Sequence, residues 1–174
     1  MNATFYISAA VAVLSTILVI VSRRAVHALL YFIVSLLAVA AMFYVMGAPF
    51  VAMLQVIIYA GAIMVLFLFV MMMINLGVDV RGPEQAWLRP SRLAGPAVLA
   101  GVLVAELVYV LAAGWKHSAA PVEVPPEQVG LAAFGPYVLG VELASLLLLA
   151  GLVGTYHLAR GRREDKSPKE EQPR

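Results

Sequence analysis

One apolar stretch, residues 54–76, limits the folds that this chain can adopt. At about 1.5 Å per residue, a helix of this length covers the roughly 30 Å hydrocarbon core of a bilayer. Because hydrocarbon offers no partner for backbone N–H and C=O groups, the stretch is predicted to be a transmembrane helix. Gln55, Tyr59 and Gly61 lie within it, and such polar or flexible positions cost stability in a helix that only anchors the chain. We therefore expect this helix to have a function beyond anchoring the chain in the membrane.

The composition indicates a membrane protein. Of the 174 residues, 63% are hydrophobic and 13% are charged, whereas a soluble domain has about 25% charged residues. The chain has no cysteine. The absence of thiols excludes disulfides, thiolate metal sites, iron–sulfur ligation and thiol catalysis by this chain.

Five stretches are predicted to cross the membrane, which makes the fold class an all-α integral membrane protein. They cover about residues 3–21, 26–46, 50–76, 93–113 and 134–158. Residues 1–158 are predicted to form a single membrane domain, and residues 159–174 a charged, disordered tail. Pro125 and Pro126 favour the start of a short helix in the loop before the last span.

The basic residues indicate the orientation of the chain. Two Lys or Arg follow the first span, none follows the second, three follow the third, one follows the fourth and six lie in the tail. Eleven of the twelve therefore fall on one side of the predicted spans. By the positive-inside rule, the N-terminus is predicted to be periplasmic and the C-terminus cytoplasmic.

The third span carries the features most suggestive of function. Gln55 and Tyr59 lie four residues apart on one helix face, where they either bridge by a hydrogen bond or water, or pack against neighbouring helices. Gly61 loosens the backbone, and single-turn π-bulges occur often at functional sites. Converting a bulge to a regular turn would rotate everything after it by about a third of a turn, so that Tyr59 and Phe67 make or break a water path. We expect an irregular helix between residues 57 and 67, with Tyr59 facing other subunits rather than lipid.

Two carboxylates lie inside predicted spans, where the charged form is costly and a function is the default hypothesis. Glu142 has either such a role or a structural one, bonding to Ser145 or to a neighbouring subunit. Glu106 is a possible site residue, and the alternative is that it points into an aqueous crevice on the outer side. Because the fourth and fifth spans are predicted to be antiparallel, both carboxylates are expected at similar depth.

Three segments together resemble a known family. VHALLYFIVSLLAVA (residues 26–40), QVIIYAGAIMVLFLFVMMM (residues 55–73) and FGPYVLGVELASLLLLAGLVG (residues 134–154) resemble the J subunit of bacterial proton-pumping NADH:quinone oxidoreductase, respiratory complex I. That subunit is the counterpart of mitochondrial NADH dehydrogenase subunit 6. The resemblance extends from residue 1 to about residue 158.

The resemblance implies a membrane-arm subunit of the bacterial cell inner membrane that packs beside K, H, A and N type subunits and binds no nucleic acid. The whole complex is expected to use FMN, iron–sulfur clusters, NADH and a quinone, while this chain has no cofactor, metal or active site of its own. The family's third helix is thought to switch between a π-bulged and a regular form. That switch would gate a proton path between the quinone region and the antiporter-like subunits.

Carried over by motif, the gating positions of this chain are Tyr59, Gly61, Val65, Phe67 and Met72. Relatives can have glutamate where this chain has Gln55, and a glutamine cannot carry a proton by ionising, so the resemblance does not imply an obligatory carboxylate there. Two alternatives stay open. The chain is a purely structural scaffold of the same complex, or a small subunit of a related membrane hydrogenase or cation/proton antiporter assembly.

Overall fold

The computed structural model describes residues 2–22, 25–73, 90–112 and 123–164, and most of these residues are helical. No strand occurs in these ranges, which confirms the all-α class. We number six helices in chain order: α1 (Asn2–Val21), α2 (Ala25–Val45), α3 (Pro49–Met73), α4 (Pro90–Ala112), α5 (Pro126–Phe134) and α6 (Val138–Glu164).

Four of these helices are long and apolar enough to cross a membrane. The qualifying stretches are Ala3–Val21, Ala25–Val45, Pro49–Met73 and Val138–Arg160. The apolar stretch of α4, Ala94–Val110, is shorter. The fourth predicted span is thus present as an apolar helix, and its crossing of the membrane stays a prediction, as do the orientation and the single membrane domain.

The helix boundaries differ from the predicted ones near the C-terminus. The last span was expected from residue 134, but Phe134 ends α5 and a turn precedes Val138, the first residue of α6. Pro136 lies in that turn, where its missing N–H and the restriction on the preceding residue interrupt the helix. The short helix expected after Pro125 and Pro126 is confirmed as α5.

α6 continues to Glu164, so the first six residues of the predicted tail are helical. The remaining tail positions, 165–174, lie outside the described residues. So do the predicted end of the third span at positions 74–76 and the basic pair Arg23 and Arg24.

A tight turn makes α2 and α3 neighbours. The N–H of Ala48 donates to the carbonyl of Phe43 at 3.0 Å, and the N–H of Gly47 donates to that of Tyr44 at 3.1 Å. Gly47 has φ 86°, and this left-handed residue with its two bonds forms a Schellman motif. Pro49 then begins α3, where its missing N–H costs nothing. The result is that α3 packs back along α2 over its length.

Helices α1, α2 and α4 share a small core. Val11, Val34, Ala38 and Leu103 are buried together, one or two from each helix. Near one end of α4, the phenol of Tyr31 lies so close to Gly95 that a Cβ added there would require the Tyr31 side chain to move. Residues 1–125 form one compact unit and residues 126–174 a second; α5 and α6 belong to the second.

Hydroxyl groups bind α1 to α2. Thr16 Oγ1 and Ser35 Oγ lie 2.9 Å apart. Thr16 donates its proton to the carbonyl of Ala12 in its own helix at 2.8 Å. The single proton of Ser35 serves either Thr16 Oγ1 or the carbonyl of Ala12, which is 3.3 Å from Ser35 Oγ. A hydrogen bond between membrane helices stabilises their association by on the order of 0.6 kcal/mol in a bilayer. These bonds therefore add specificity to helix packing, while small residues allow the helices to come close.

Candidate functional site

The hydrogen-bonding pattern of α3 changes twice along its length. Pro49–Leu54 and Met64–Met73 are α-helical, and Gln55–Ile63 between them is π-helical. At the start of the π segment the N–H of Gln55 donates to the carbonyl of Val51, four residues back. At its end the N–H of Met64 donates to the carbonyl of Tyr59, five residues back.

The irregularity expected between residues 57 and 67 is therefore confirmed, although the π segment begins at Gln55 and ends at Ile63. It is longer than the single-turn bulge that is usual in α-helices. We find no signal in the sequence that fixes its first residue, since the residues from Gln55 to Ile58 also suit an ordinary apolar helix.

Gly61 lies within the π segment, close to the carbonyl of Val56. A Cβ at this position would be 3.2 Å from the carbonyl oxygen of Val56, a separation tighter than an ordinary van der Waals contact. In a π-helix the carbonyl of residue i pairs with the N–H of residue i+5, which pairs Val56 with Gly61. Glycine thus lets this carbonyl come close without displacing the backbone.

The π segment sets which residues of α3 face α2. Ala52, Ala60 and Met64 are the buried residues of α3, with exposed fractions of 6%, 7% and 4%. In a regular α-helix, eight residues turn roughly 800°, which would leave Ala60 about 80° away from the face of Ala52. The extra residue in the π segment removes one 100° step and returns Ala60 to within roughly 20° of that face.

The predicted site residues of α3 lie mainly off this packed face. The side chain of Tyr59 is 52% exposed, and Val65, Phe67 and Met72 are exposed as well. Gln55 and Gly61 are partly buried. Gln55 and Tyr59 are not hydrogen-bonded to each other in the part of α3 described. That Tyr59 faces other subunits rather than lipid stays a prediction.

Glu142 lies in α6, in the second compact unit, and its side chain is exposed. The hydroxyl of Ser145 donates to the backbone carbonyl of Glu142 at 2.7 Å, not to its carboxylate. The structure therefore leaves the carboxylate of Glu142 available to groups outside this helix.

Glu106 lies in α4 and reaches α1. Its Oε2 accepts a hydrogen bond from the hydroxyl of Ser8 at 2.9 Å, and its Oε1 is shielded from solvent. Oε1 is thus covered within this chain, and the interpretation that Glu106 points into an aqueous crevice stays a prediction. Ser8 was missed from the sequence, although Ser8, Val11 and Ser15 recur at the three- and four-residue spacing of one buried helix face.

The described residues contain no group of three or more His, Cys, Asp or Glu side chains that could hold a metal ion. The distinctive feature of α3 is that two hydrogen-bonding patterns, π-helical and α-helical, adjoin within one helix.

Comparison with known proteins gives one consistent result. The family of NADH-ubiquinone/plastoquinone oxidoreductase chain 6 matches residues 15–158. The chain is 52% identical over 165 residues to NADH-quinone oxidoreductase subunit J of Pseudomonas aeruginosa, covering 92% of this chain and 97% of the relative. It is 46% identical over 163 residues to the Escherichia coli K12 protein of the same name, covering 94% and 89%. The subunit J of Buchnera aphidicola subsp. Schizaphis graminum is 42% identical over 160 residues, covering 92% and 98%.

Proposed function

Because this chain belongs to the NADH-ubiquinone/plastoquinone oxidoreductase chain 6 family, we propose that it is a membrane-arm subunit of a proton-translocating NADH:quinone oxidoreductase. It lies in the bacterial inner membrane with five spans, its N-terminus periplasmic and its C-terminus cytoplasmic. The four qualifying helices, the apolar α4 and the eleven-to-one distribution of basic residues support this arrangement.

The subunit carries no redox centre. In the assembled complex, FMN and the iron–sulfur clusters transfer electrons from NADH to a quinone. This chain cannot supply thiolates to a cluster, because it has no cysteine. The contribution that we propose for it is to the coupling of that electron transfer to proton movement.

Its partners are other membrane-arm subunits, of the K, H, A and N types. The exposed apolar side chains of α3 and α6 support contacts with other membrane helices, as do the small residues at four-residue spacing, such as Gly140 and Ala144 in α6. Lipid covers whatever these partners leave free.

We infer that α3 gates a proton path, and the π segment Gln55–Ile63 is the observation that carries this inference. In the regular form, Tyr59 would follow Ala52 by seven residues, which turn roughly 700° and end within about 20° of the same face. Tyr59 would then occupy the position against α2 that Ala60 holds in the π form. By the same shift Ile63 would replace Met64.

The shift would also turn Phe67 into the place of Leu68, and Val65 and Met72 would change neighbours with it. One backbone transition thus moves an aromatic hydroxyl and a bulky ring together. A water path lined by these side chains would be continuous in one register and blocked in the other. Glu142, in the second compact unit, is a separate candidate proton carrier, since its carboxylate is unused within α6.

A gate needs two forms of similar energy, because a ligand shifts a population only by its differential affinity for the two states. Reversing a ratio from 1:99 to 99:1 takes about 5.5 kcal/mol. Quinone reduction in the adjoining arm is the event proposed to supply this bias. Gly61 lowers the cost of the π form, since it has no Cβ to press on the carbonyl of Val56.

The scaffold alternative rests on a specific observation as well. Most large side chains of α6 are exposed in the isolated chain, so extensive contact with other subunits is expected whether or not α3 moves. The family match favours an NADH:quinone oxidoreductase over a membrane hydrogenase or cation/proton antiporter assembly.

Affinity purification through a tag after Arg174 tests the assignment. We expect the chain to retrieve a complex that contains flavin and iron–sulfur clusters and reduces quinone with NADH. Retrieval of a hydrogenase or an antiporter assembly without NADH activity would contradict it. Gating is separated from scaffolding by variants that assemble normally and are then assayed for proton pumping.

A further inference from the structure

A partly buried polar contact joins the first and fourth predicted spans at a point that the proposed gate does not use. Ser8 of α1 is fully buried, and its hydroxyl donates to Oε2 of Glu106 at 2.9 Å. One helical turn along, Val11 of α1 and Leu103 of α4 belong to the same buried cluster. The two contacts place α1 and α4 antiparallel, with Glu106 turned toward α1.

The second oxygen of Glu106 has a different environment. Oε1 is shielded from solvent and accepts no hydrogen bond from the described residues. An ionised carboxylate has two charged oxygens that both need donors, and burying one without a donor or a cation is costly. A neutral carboxyl avoids most of this cost, since only its hydroxyl lacks an acceptor.

The helices packed against Glu106 offer no cation. The described residues of α1 and α2 contain no Lys, Arg, Asp or Glu. The phenol of Tyr31 lies against Gly95, eleven residues before Glu106 and so about 16 Å away along the axis of α4. His27 precedes Tyr31 by a further turn. The titratable and charged groups of the three helices, apart from Glu106, are Tyr6, His27, Tyr31, Tyr44, Arg92 and Tyr109.

We propose that Glu106 is a proton-binding site that holds its proton permanently and, with Ser8, forms a neutral clamp between α1 and α4. Ser8 donates to the carbonyl oxygen Oε2, and the proton resides on Oε1. The carboxyl group of Glu106 thus binds one proton and no other ligand. Glu106 does not exchange protons with the aqueous phase during turnover, unlike a carboxylate of a conduction path.

The remainder of the α1–α4 contact shows why a clamp is needed. Toward the opposite ends of these helices an apolar groove of about 480 Å³ opens between them, lined by Leu14, Ile17, Leu18, Ala94, Gly95, Val98 and Leu99. The closer contacts between the two helices, Ser8 with Glu106 and Val11 with Leu103, lie toward their other ends. A neutral hydrogen bond there holds α4 in place without the desolvation cost of an ion pair.

Infrared difference spectroscopy of the purified assembly tests the proposal. Wild type minus Glu106→Gln should show the C=O stretch of a protonated carboxyl, with unchanged intensity from about pH 6 to about pH 8.5, a range in which an ordinary glutamate is ionised. Symmetric and antisymmetric carboxylate bands in its place, or loss of the C=O band as the pH rises, would overturn it.

Two further variants keep the test decisive. Ser8→Ala should shift the wild-type C=O band to higher frequency, since the hydrogen bond to Oε2 is lost, and this comparison does not require Glu106→Gln to assemble. An unmoved band would contradict the clamp. Glu142→Gln is the matched control, because it removes an exposed carboxylate and should leave the Glu106 band unchanged. The proposal is independent of gating by α3, whose failure would not alter these spectra.

Discussion

At the scale of single residues, Gly61 has the largest predicted effect. A Cβ at position 61 would press on the carbonyl oxygen of Val56 at 3.2 Å in the π form. Because this contact belongs to the π form, Gly61→Ala should shift the balance between the two registers toward the regular helix.

We expect Gly61→Ala to lower the number of protons pumped per NADH oxidised, and Gly61→Leu to lower it further, while assembly on native gels is retained. Gly101→Ala is the control, since nothing lies within 4 Å of a Cβ added there in this chain. Full pumping by an assembled Gly61→Leu complex would contradict the gate, and loss of assembly would support the scaffold.

Glu142 gives a second prediction at this scale. Its carboxylate accepts no bond from Ser145, and glutamine preserves its size and hydrogen-bonding capacity. Glu142→Gln should therefore leave assembly and most quinone reductase activity intact, measured on membranes from the variant strain. Disappearance of the assembled complex would instead show a structural role that requires the charge.

At the scale of elements, the turn between α2 and α3 depends on Gly47. Its φ of 86° costs a residue with a Cβ roughly 1–2 kcal/mol. Its carbonyl also accepts the N–H of Val124 at 2.9 Å, so distortion there would reach the segment before α5. Gly47→Ala should lower the thermal midpoint of the assembled complex. Ala48→Ser is the control, because Ala48 has φ −115°, and an equal effect of both substitutions would contradict this account.

Much of this element structure follows from the sequence, because membrane helices are local. Continuous apolar runs predict α1, α2 and α3, and the proline pair predicts α5. The start of α6 was placed too early, since the apolar pattern passes through the Gly135–Pro136 turn without a break.

The sequence predicted the irregular segment of α3 but not the contact between Ser8 and Glu106. Gly61 and Tyr59 indicated an irregular helix, whereas its extent depends on how α3 packs against α2. The bond between Ser8 and Glu106 joins residues 98 positions apart. No local pattern encodes that pairing; it follows only once α1 and α4 are placed side by side.

At the scale of the whole molecule, the distribution of basic residues predicts the topology. Eleven of twelve Lys and Arg should lie on the cytoplasmic side. A reporter that works only in the cytoplasm should be active when it is fused after Arg174. A reporter that works only in the periplasm should be active when it is fused after Lys116. This second fusion is the control for the first. Activity of the Arg174 fusion only in the periplasm would reverse the orientation.

The central claim is that α3 exists in two registers and that turnover exchanges them. A structure of the intact complex determined both at rest and during NADH-driven quinone reduction tests it most directly. We expect one population with the π segment Gln55–Ile63 and Ala60 against α2. A second population should have a regular helix, with Tyr59 in the place of Ala60 and the chain from Met64 onward turned by roughly 100°. A single register of α3 in every state of an actively pumping complex would contradict the account.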